Sequence, residues 1–371
     1  MQNFLKYGNF CYQLVLSIRK FQRPSVQPFL LGVVIGMVVT ALITLPSGYN
    51  LSLFRSYASE RKITSRIGNH SSDDHHHRMT NISLSSQLYN EVKVLCWILT
   101  GPQNHEKKAK HVKATWGQRC NTLIFMSTED DPSLPAVALP VIEDRNNLWG
   151  KTKAAFQYVY DHHYNDADWF FKADDDTYAV MENLRYLLRD YEPTDPIYFG
   201  FRFKPYVKQG YMSGGGGYVL SKESVKRFVT EALPNPDKCK KENTGAEDVE
   251  IGKCLENVGV AAGDSRDADG RSRFLPLFAT DVLIPGAMGK EHWFWSYHYY
   301  PFNVGMECCS DNIITIHYVD PYKLYLLEYL IYHVQPFGIS YNPELPEKGV
   351  KQTPVEKEKA SNDSWDEFEG K

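Results

Sequence analysis

The chain has 371 residues, too many for a small module held together by disulfides, and a hydrophobic content of 43% excludes a wholly disordered or fibrous protein. Lys and Arg number 41 against 45 Asp and Glu, and the resulting net charge of −4 argues against a dedicated nucleic-acid-binding protein. A chain of this length has room for one large globular domain or two modest ones.

The first predicted element is a membrane anchor. Residues 1–28 carry basic side chains and no acid, and residues 29–45 form an apolar run without a charge. As a helix this run would rise roughly 25 Å, at the short end of the range for a bilayer core. A cleaved signal peptide is the alternative, although its n-region would be unusually long.

The chain beyond the anchor has features of a lumenal protein. Six of the seven cysteines follow the apolar run, as do the N-x-S tripeptides at Asn50, Asn69, Asn81 and Asn362. An even number of cysteines on one side of a membrane suits an oxidising compartment, and such tripeptides are N-glycosylation acceptors. We therefore predict a type II protein of the secretory pathway, with a cytoplasmic tail at 1–28 and N-glycosylation at Asn69 and Asn81.

Two polar segments flank a single folded block. Residues 46–90 are polar and Ser-rich and predict a flexible lumenal stem, in which the histidines at 75–77 would form a metal site only if something rigid held them. Residues 341–371 are charged, contain prolines and predict a disordered tail. The block between them, 91–340, is predicted to be a single domain.

Strand and helix patterns alternate along this domain. Strands are predicted at 92–99, 122–126, 169–171 and 197–199, and helices at 151–160, 181–190, 224–231 and 248–258. Such alternation is typical of an α/β fold with a mostly parallel, Rossmann-like sheet. Ligands of these sheets collect at the carboxyl ends of the strands, so reactive side chains are expected there.

Three consecutive acids follow the strand predicted at 169–171. In an extended chain Asp174 and Asp176 point to one face and Asp175 to the other. Two carboxylates 4 Å apart repel by roughly 4 kcal/mol at an effective dielectric constant of about 20, and a divalent cation relieves that repulsion. Acids are also common at helix N-termini, so they could instead cap the helix at 181–190. The apolar strand just before them favours the metal site.

Three further motifs each allow a structural and a functional interpretation. His317, in a strand predicted at 313–319, is either a hydrogen-bonded core residue or a ligand that, with the aspartates, would suit Mn²⁺ better than Mg²⁺ or Ca²⁺. The glycines at 214–217 form either a flexible loop or a main chain that something approaches closely. Glu247 and Asp248 begin a predicted helix and either cap it or supply a general base for a hydroxyl group.

The segment 293–302 contains seven aromatic residues in ten positions. Neither a helix nor a strand can bury all of them, because both have an outward side. The segment is therefore either a packed loop over the sheet or a surface that stacks on a sugar.

Six cysteines allow 15 pairings. Local pairing would join Cys96 to Cys120 and Cys239 to Cys254. Cys308 and Cys309 would then either bond to each other or remain reduced.

Long blocks of the domain resemble the core 1 β1,3-galactosyltransferase family. These blocks are residues 96–104, 111–116, 169–176, 203–214, 308–311 and 316–320. The resemblance implies a single GT-A catalytic domain of the inverting β1,3 group, in a Mn²⁺-dependent, type II enzyme of the Golgi membrane. It further implies transfer of galactose from UDP-galactose to GalNAc α-linked to Ser or Thr of glycoproteins, and a homodimer.

The resemblance also assigns roles to individual residues. It places the metal at Asp174, Asp176 and His317, and the catalytic pair at Glu247 and Asp248, with Asp248 as the base. The residues it places near the nucleotide sugar are Thr100, Lys113, Thr115, Trp116 and Asp175. Those it places near the acceptor are Trp293, Trp295, Tyr297, Gly214 and Gly215.

Three other functions remain open at this point. A fringe-like β1,3-hexosyltransferase would use a different donor or acceptor. A non-enzymatic, chaperone-like homologue would lack the metal acids, and the intact acids at 174–176 argue against it. A carbohydrate-binding membrane protein would use the aromatic residues without transferring a sugar.

Overall fold

The computed structural model describes residues 83–336 and residue 339. The predicted cytoplasmic tail, the anchor at 29–45, most of the stem, the tail at 341–371 and all four N-x-S asparagines lie outside these residues. Within them, no helix combines the length and the apolar character needed to cross a bilayer. The domain limits at 91 and 340 stay predictions.

Strands and helices alternate along the described chain. The strands are β1 (Val94–Leu99), β2 (Thr122–Ser127), β3 (Ala136–Ala138), β4 (Trp169–Asp174), β5 (Tyr178–Ala179), β6 (Ile197–Gly200), β7 (Arg202–Phe203), β8 (Tyr211–Met212), β9 (Tyr218–Ser221), β10 (Ala261–Ala262), β11 (Phe274–Leu275) and β12 (Thr315–Ile316). The helices are α1 (Ser83–Glu91), α2 (Lys110–Ala114), α3 (Leu148–His163), α4 (Met181–Leu188), α5 (Lys222–Arg227), α6 (Glu247–Asn257), α7 (Ala279–Leu283), α8 (Phe294–Tyr297) and α9 (Pro321–Tyr332).

A seven-stranded sheet in the order β10-β6-β9-β4-β1-β2-β3 forms the centre of the domain. Strand β9 runs antiparallel to β4 and β6, whereas the other neighbours are parallel. The predicted α/β fold with a mostly parallel sheet is confirmed. The predicted helices at 151–160, 181–190, 224–231 and 248–258 correspond to α3, α4, α5 with the π turn after it, and α6.

Alternation along β1 separates the hydrophobic core into two layers. Every residue of β1 is buried, as expected for a central strand with elements on both faces. Val94, Cys96 and Ile98 belong to one apolar cluster and the residues between them to the other. In the second layer the rings of Trp97 and Phe156 of α3 meet edge to face at 5.0 Å.

A smaller sheet places the end of the domain next to the acids. Its order is β11-β12-β5, and Ile316 of β12 pairs with Tyr178 of β5. The strand predicted at 313–319 is only Thr315–Ile316, and the chain turns after it, where Tyr318 adopts a φ of +56° that extended chain does not permit. His317 consequently lies off the sheet, at the turn.

Helix α1 lies inside the segment 46–90 predicted as a flexible stem. Leu88 and Val92 are buried, and the guanidinium of Arg185 in α4 lies 4.7 Å from the ring centre of Tyr89. Residues 83–90 are therefore folded against the domain, because the Ser-rich segment ends in apolar side chains that α4 covers.

Three disulfides join the six cysteines that follow the apolar run. They link Cys96 to Cys120, Cys239 to Cys254, and the neighbours Cys308 and Cys309. Both local pairings are confirmed, and the last two cysteines are bonded to each other.

A buried acid attaches α9 to the rest of the domain. Glu328 accepts hydrogen bonds from both terminal nitrogens of Arg119, at 2.5 and 3.1 Å. The hydroxyl of Tyr178 in β5 donates to the same carboxylate at 2.9 Å. This contact ties α9 to the strand that follows the acids.

Glu328→Ala is expected to lower the free energy of unfolding by about 3 kcal/mol, because it leaves the Tyr178 hydroxyl without its acceptor and the Arg119 guanidinium with only the more distant Glu182, at 3.7 Å. Urea denaturation measures this change. Lys323→Ala, which removes an exposed ion pair with Asp320, the N-cap of the same helix, should cost less than about 1 kcal/mol. Equal losses in the two variants would contradict the assigned role of Glu328.

Candidate active site

The acids lie at the carboxyl end of the central strand β4. The strand ends at Asp174, and the chain then turns, with the Thr177 amide donating to the Asp174 carbonyl at 3.1 Å. The turn brings Asp174, Asp176 and His317 together, with one possible ligand atom from each within 4.8 Å of the others. The alternative interpretation as a helix cap is wrong, because the N-cap of α4 is Val180 and receives no side-chain cap.

Asp176 is held in its ionised form. It lies 3.3 Å from His317 Nε2 and 3.0 Å from Lys108 Nζ. Burial alone would raise its pKa, but the hydrogen bond and charge of His317 and the charge of Lys108 lower the pKa to about 2. Two carboxylates and an imidazole form a donor set that fits a divalent ion such as Mn²⁺.

Asp175 faces away from this cluster. It accepts hydrogen bonds from Thr100 Oγ1 at 2.8 Å and from Asn104 Nδ2 at 2.9 Å, and it lies 3.2 Å from Lys108 Nζ. Burial raises its pKa, although Lys108 and Thr100 oppose that shift. The expected grouping of Asp174 with Asp176 is confirmed, although a turn rather than an extended chain produces it, and Lys108 bridges Asp175 and Asp176.

The glycines at 214–217 form the loop between β8 and β9, next to the cluster of Asp174, Asp176 and His317. Their carbonyls accept hydrogen bonds from three side chains: Lys172 to Gly214, Thr177 to Gly215 and Thr315 to Gly216. The main chain of the loop is therefore approached closely by the protein's own side chains, as one interpretation of the glycine run predicts.

Gly215→Ala is expected to weaken metal binding, because a Cβ at this position would collide with the His317 imidazole. The ring must turn away from Asp176, and a misplaced ligand costs roughly 10- to 100-fold in affinity. Calorimetric titration with Mn²⁺ measures the loss. Gly216→Ala is the matched control, since its nearest atoms would lie 3.4 Å away, in ordinary contact. Equal affinity in the two variants would show that His317 does not bind the ion.

The two acids at the start of α6 have different surroundings. Glu247 is buried and accepts hydrogen bonds from Tyr218 Oη at 2.5 Å and Thr152 Oγ1 at 3.2 Å. Burial raises its pKa, and Lys172 opposes that shift. Glu247 is therefore enclosed by protein side chains.

Asp248, by contrast, lines a cavity of about 610 Å³. Its two oxygens accept hydrogen bonds from the amides of Gly214 at 3.2 Å and Val249 at 2.9 Å. Burial raises the pKa of Asp248, and these amides oppose the shift. Ala246, not either acid, is the N-cap of α6. Asp248 thus presents a carboxylate of raised pKa to the cavity, as a general base requires.

The same cavity joins this carboxylate to the metal-ligand cluster and to aromatic side chains. His317 and Gly215 line it on the side of the cluster. Trp293 and Tyr297 line the opposite side, with ring centres 5.3 Å apart, and Tyr297 Oη lies 2.8 Å from Tyr206 Oη. The cavity therefore combines a proton acceptor, one candidate metal ligand, His317, and flat apolar faces.

Some residues that the resemblance assigns to ligands do not line this cavity. Thr115 and Trp116 are fully buried, and the Trp116 indole donates to the Thr177 carbonyl at 2.9 Å. Neither side chain can contact a nucleotide directly, because both pack behind the turn that carries the acids. Lys113 contacts the Ser133 carbonyl, and the Trp295 indole donates to the Gly289 carbonyl at 2.9 Å, away from the cavity.

A buried lysine of β4 is a residue of the site that was not predicted from the sequence. Lys172 Nζ lies 2.6 Å from Asp174 Oδ1 and 3.9 Å from Glu247 Oε2. Burial alone would lower its pKa, but Asp174 and Glu247 raise it, so the amine stays charged. The signal was present in the sequence: a lysine that interrupts an apolar strand needs a buried partner.

Comparison with known proteins gives a consistent result. A family model described as Fringe-like matches residues 91–267. Glycoprotein-N-acetylgalactosamine 3-beta-galactosyltransferase 1 of Xenopus laevis is 47% identical over 273 residues, which cover 73% of this chain and 75% of that protein. Beta-1,3-glucosyltransferase of Mus musculus is 29% identical over 159 residues, 42% of this chain and 32% of that protein.

One solved structure, of a glycosyltransferase involved in the glycosylation of the major capsid of PBCV-1, is similar over 41% of this chain and 71% of that one. Its TM-score of 0.27 and 13% identity are too low to support an argument.

Proposed function

We propose a specific reaction for this chain, which belongs to the family of glycoprotein-N-acetylgalactosamine 3-beta-galactosyltransferases. It transfers galactose from UDP-galactose to the 3-hydroxyl of GalNAc α-linked to Ser or Thr, with inversion, and forms Galβ1-3GalNAc. The identity of 47% over three quarters of the relative supports the donor, the acceptor and the linkage. The cavity, which both Asp248 and His317 line, supports the mechanism.

Asp248 is the general base in this proposal. Its carboxylate takes the proton of the GalNAc 3-hydroxyl as that oxygen forms its bond to C1 of galactose. The bond from C1 to the diphosphate oxygen breaks, and UDP leaves with the electron pair. Because the oxygen attacks the face opposite the leaving group, the α-linked donor gives a β-linked product. Glu247, which is enclosed, fixes the start of α6 instead of taking the proton.

Asp174, Asp176 and His317 would hold the divalent ion, which we propose is Mn²⁺. When bound, such an ion neutralises the charge that develops on the leaving diphosphate. The protein's own contribution is to keep Asp176 ionised at neutral pH and to place His317, packed against Gly215, beside it.

The aromatic side of the cavity would receive the acceptor. Trp293 is 44% exposed and can stack on a flat face of GalNAc, whereas the ring of Tyr297, inclined at 85° to it, lines the cavity beside it. We further propose a GT-A fold, attachment to the Golgi membrane through residues 29–45 as a type II protein, and a homodimer. The charge-free apolar run supports the anchor.

A transfer assay on the full-length protein in detergent tests this function. We expect Mn²⁺-dependent incorporation of galactose from UDP-galactose into a peptide carrying GalNAc-Thr, with a β1,3 linkage by NMR. UDP-glucose and UDP-N-acetylglucosamine serve as alternative donors, and galactose and fucose as alternative acceptors. Transfer only with another donor or acceptor would indicate a fringe-like enzyme, and no UDP release with any acceptor would exclude a transferase.

A further inference from the structure

Lys172 is a buried cation that contacts the candidate metal ligand Asp174. It lies on the central strand β4, and its side chain is only 1% exposed. Its Nζ donates to Asp174 Oδ1 at 2.6 Å and to the Gly214 carbonyl at 3.0 Å. One amine thus connects a candidate metal ligand to the glycine loop.

The glycine loop continues this connection to the proposed base. The amide of Gly214 donates to Asp248 Oδ2 at 3.2 Å, so the same residue is bound by Lys172 on one side and by Asp248 on the other. There is little free space around it: a Cβ on Gly214 would lie 2.8 Å from Glu247 Oε2 and 3.5 Å from Asp248 Cβ. The path from Asp174 through Lys172 and Gly214 to Asp248 is continuous.

We propose that Lys172 is a positioning residue that sets the distance between the metal-binding carboxylate of Asp174 and the base Asp248. This inference rests on the proposed function, in which Asp174 would hold a cation at the leaving group and Asp248 takes the proton of the attacking hydroxyl. A cation bound at Asp174 would neutralise the leaving diphosphate, whereas Asp248 takes the proton of the incoming hydroxyl. A fixed distance between them keeps donor and acceptor in line.

The charge of Lys172 is as necessary as its length. Asp174 and Glu247 both lie within 4 Å of the amine, and Glu247 is buried, whereas Asp174 is partly exposed. A neutral side chain would release the Gly214 carbonyl and leave both acids without a counter-charge. Asp174 would still be free to bind a cation, so the loss should fall on the geometry of the base and not on the metal.

Lys172→Met tests the inference through separate readouts. We expect kcat for galactose transfer to fall on the order of 10²-fold, the effect of misplacing a reacting group by about 1 Å. The affinity for UDP in the presence of Mn²⁺, measured by calorimetry, should remain close to that of the wild type. Lys172→Arg, which keeps the charge and a donor, should recover part of kcat.

Arg185→Met is the matched control. Arg185 is an equally buried cation, 2% exposed, that donates to the carbonyls of Val92 and Arg119. Its loss should lower the midpoint of thermal unfolding but leave kcat per folded molecule unchanged. If Lys172→Met does not fold, Gly214→Ala tests the same connection from the loop side, and the same fall in kcat with retained UDP binding is expected.

The outcomes separate this inference from the function on which it rests. If the wild type transfers galactose and Lys172→Met keeps its kcat, or loses UDP binding in parallel with kcat, the positioning role is overturned and the proposed function stands. If Arg185→Met shows the same fall in kcat, the effect is general destabilisation and the role is likewise overturned. A wild type that transfers no galactose overturns both.

Discussion

Asp248→Asn is expected to lower kcat for galactose transfer by roughly 10²- to 10⁴-fold, the range for loss of a general base. The amide keeps the shape of the side chain but cannot take the proton of the 3-hydroxyl. Because Asp248 is not among the candidate ligands Asp174, Asp176 and His317, UDP affinity with Mn²⁺ should be unchanged. Single-turnover kinetics and calorimetry measure the two quantities separately.

Glu250→Gln is the control for this substitution. Glu250 lies in the same first turn of α6, is also buried, and pairs with Lys253 at 3.2 Å. Loss of this acid should leave kcat near the wild-type value. Normal turnover by Asp248→Asn, or an equal loss in both variants, would eliminate Asp248 as the base.

The same residue should determine the acid side of the pH profile. Burial raises the pKa of Asp248 above its ordinary value of 3.8, and the amides of Gly214 and Val249 only partly oppose the shift. A base acts in its ionised form, so kcat is full above this pKa and is lost as pH falls through it. The acid limb should therefore lie above pH 3.8 and be absent from the residual activity of Asp248→Asn.

The parts of the site that the sequence predicts well are those set by local pattern. An apolar run ending in acids predicts both the central strand β4 and the place of Asp174 at its end. Acids at a helix start likewise predict α6, because the first turn favours negative charge. Such patterns extend over a few residues, which is the range in which periodicity carries information.

The remaining features depend on contacts between distant segments. Whether His317 reaches Asp176 depends on the left-handed φ of Tyr318, which no propensity indicates for a tyrosine in an apolar run. The burial of Trp116 behind the acid turn depends on how α2 packs, and the family resemblance alone suggested a contact with ligand. The different surroundings of Glu247 and Asp248 likewise come from a distant residue, because Tyr218 of β9 donates a hydrogen bond to Glu247.

Asp176→Asn is expected to weaken Mn²⁺-dependent UDP binding by at least about 10²-fold, because loss of a ligand should exceed the 10- to 100-fold cost of losing a partner outside the coordination sphere. Asp176 lies between His317 and Lys108, and their influence lowers its pKa to about 2, so it is a carboxylate at any working pH. The neutral amide removes that negative charge. Calorimetric titration of UDP with and without Mn²⁺ measures the effect, and added chelator should reduce the wild type to the level of the variant.

Lys108→Met provides a control of opposite sign. Its ammonium group lies 3.0 Å from Asp176 Oδ2, so it competes with a cation for the same oxygen. Removing this ammonium group should leave Mn²⁺ affinity intact or increase it. If Asp176 served only to form a surface ion pair with Lys108, Lys108→Met and Asp176→Asn would instead have the same effect. If Asp176→Asn keeps its metal-dependent UDP affinity, the ion does not bind at the end of β4.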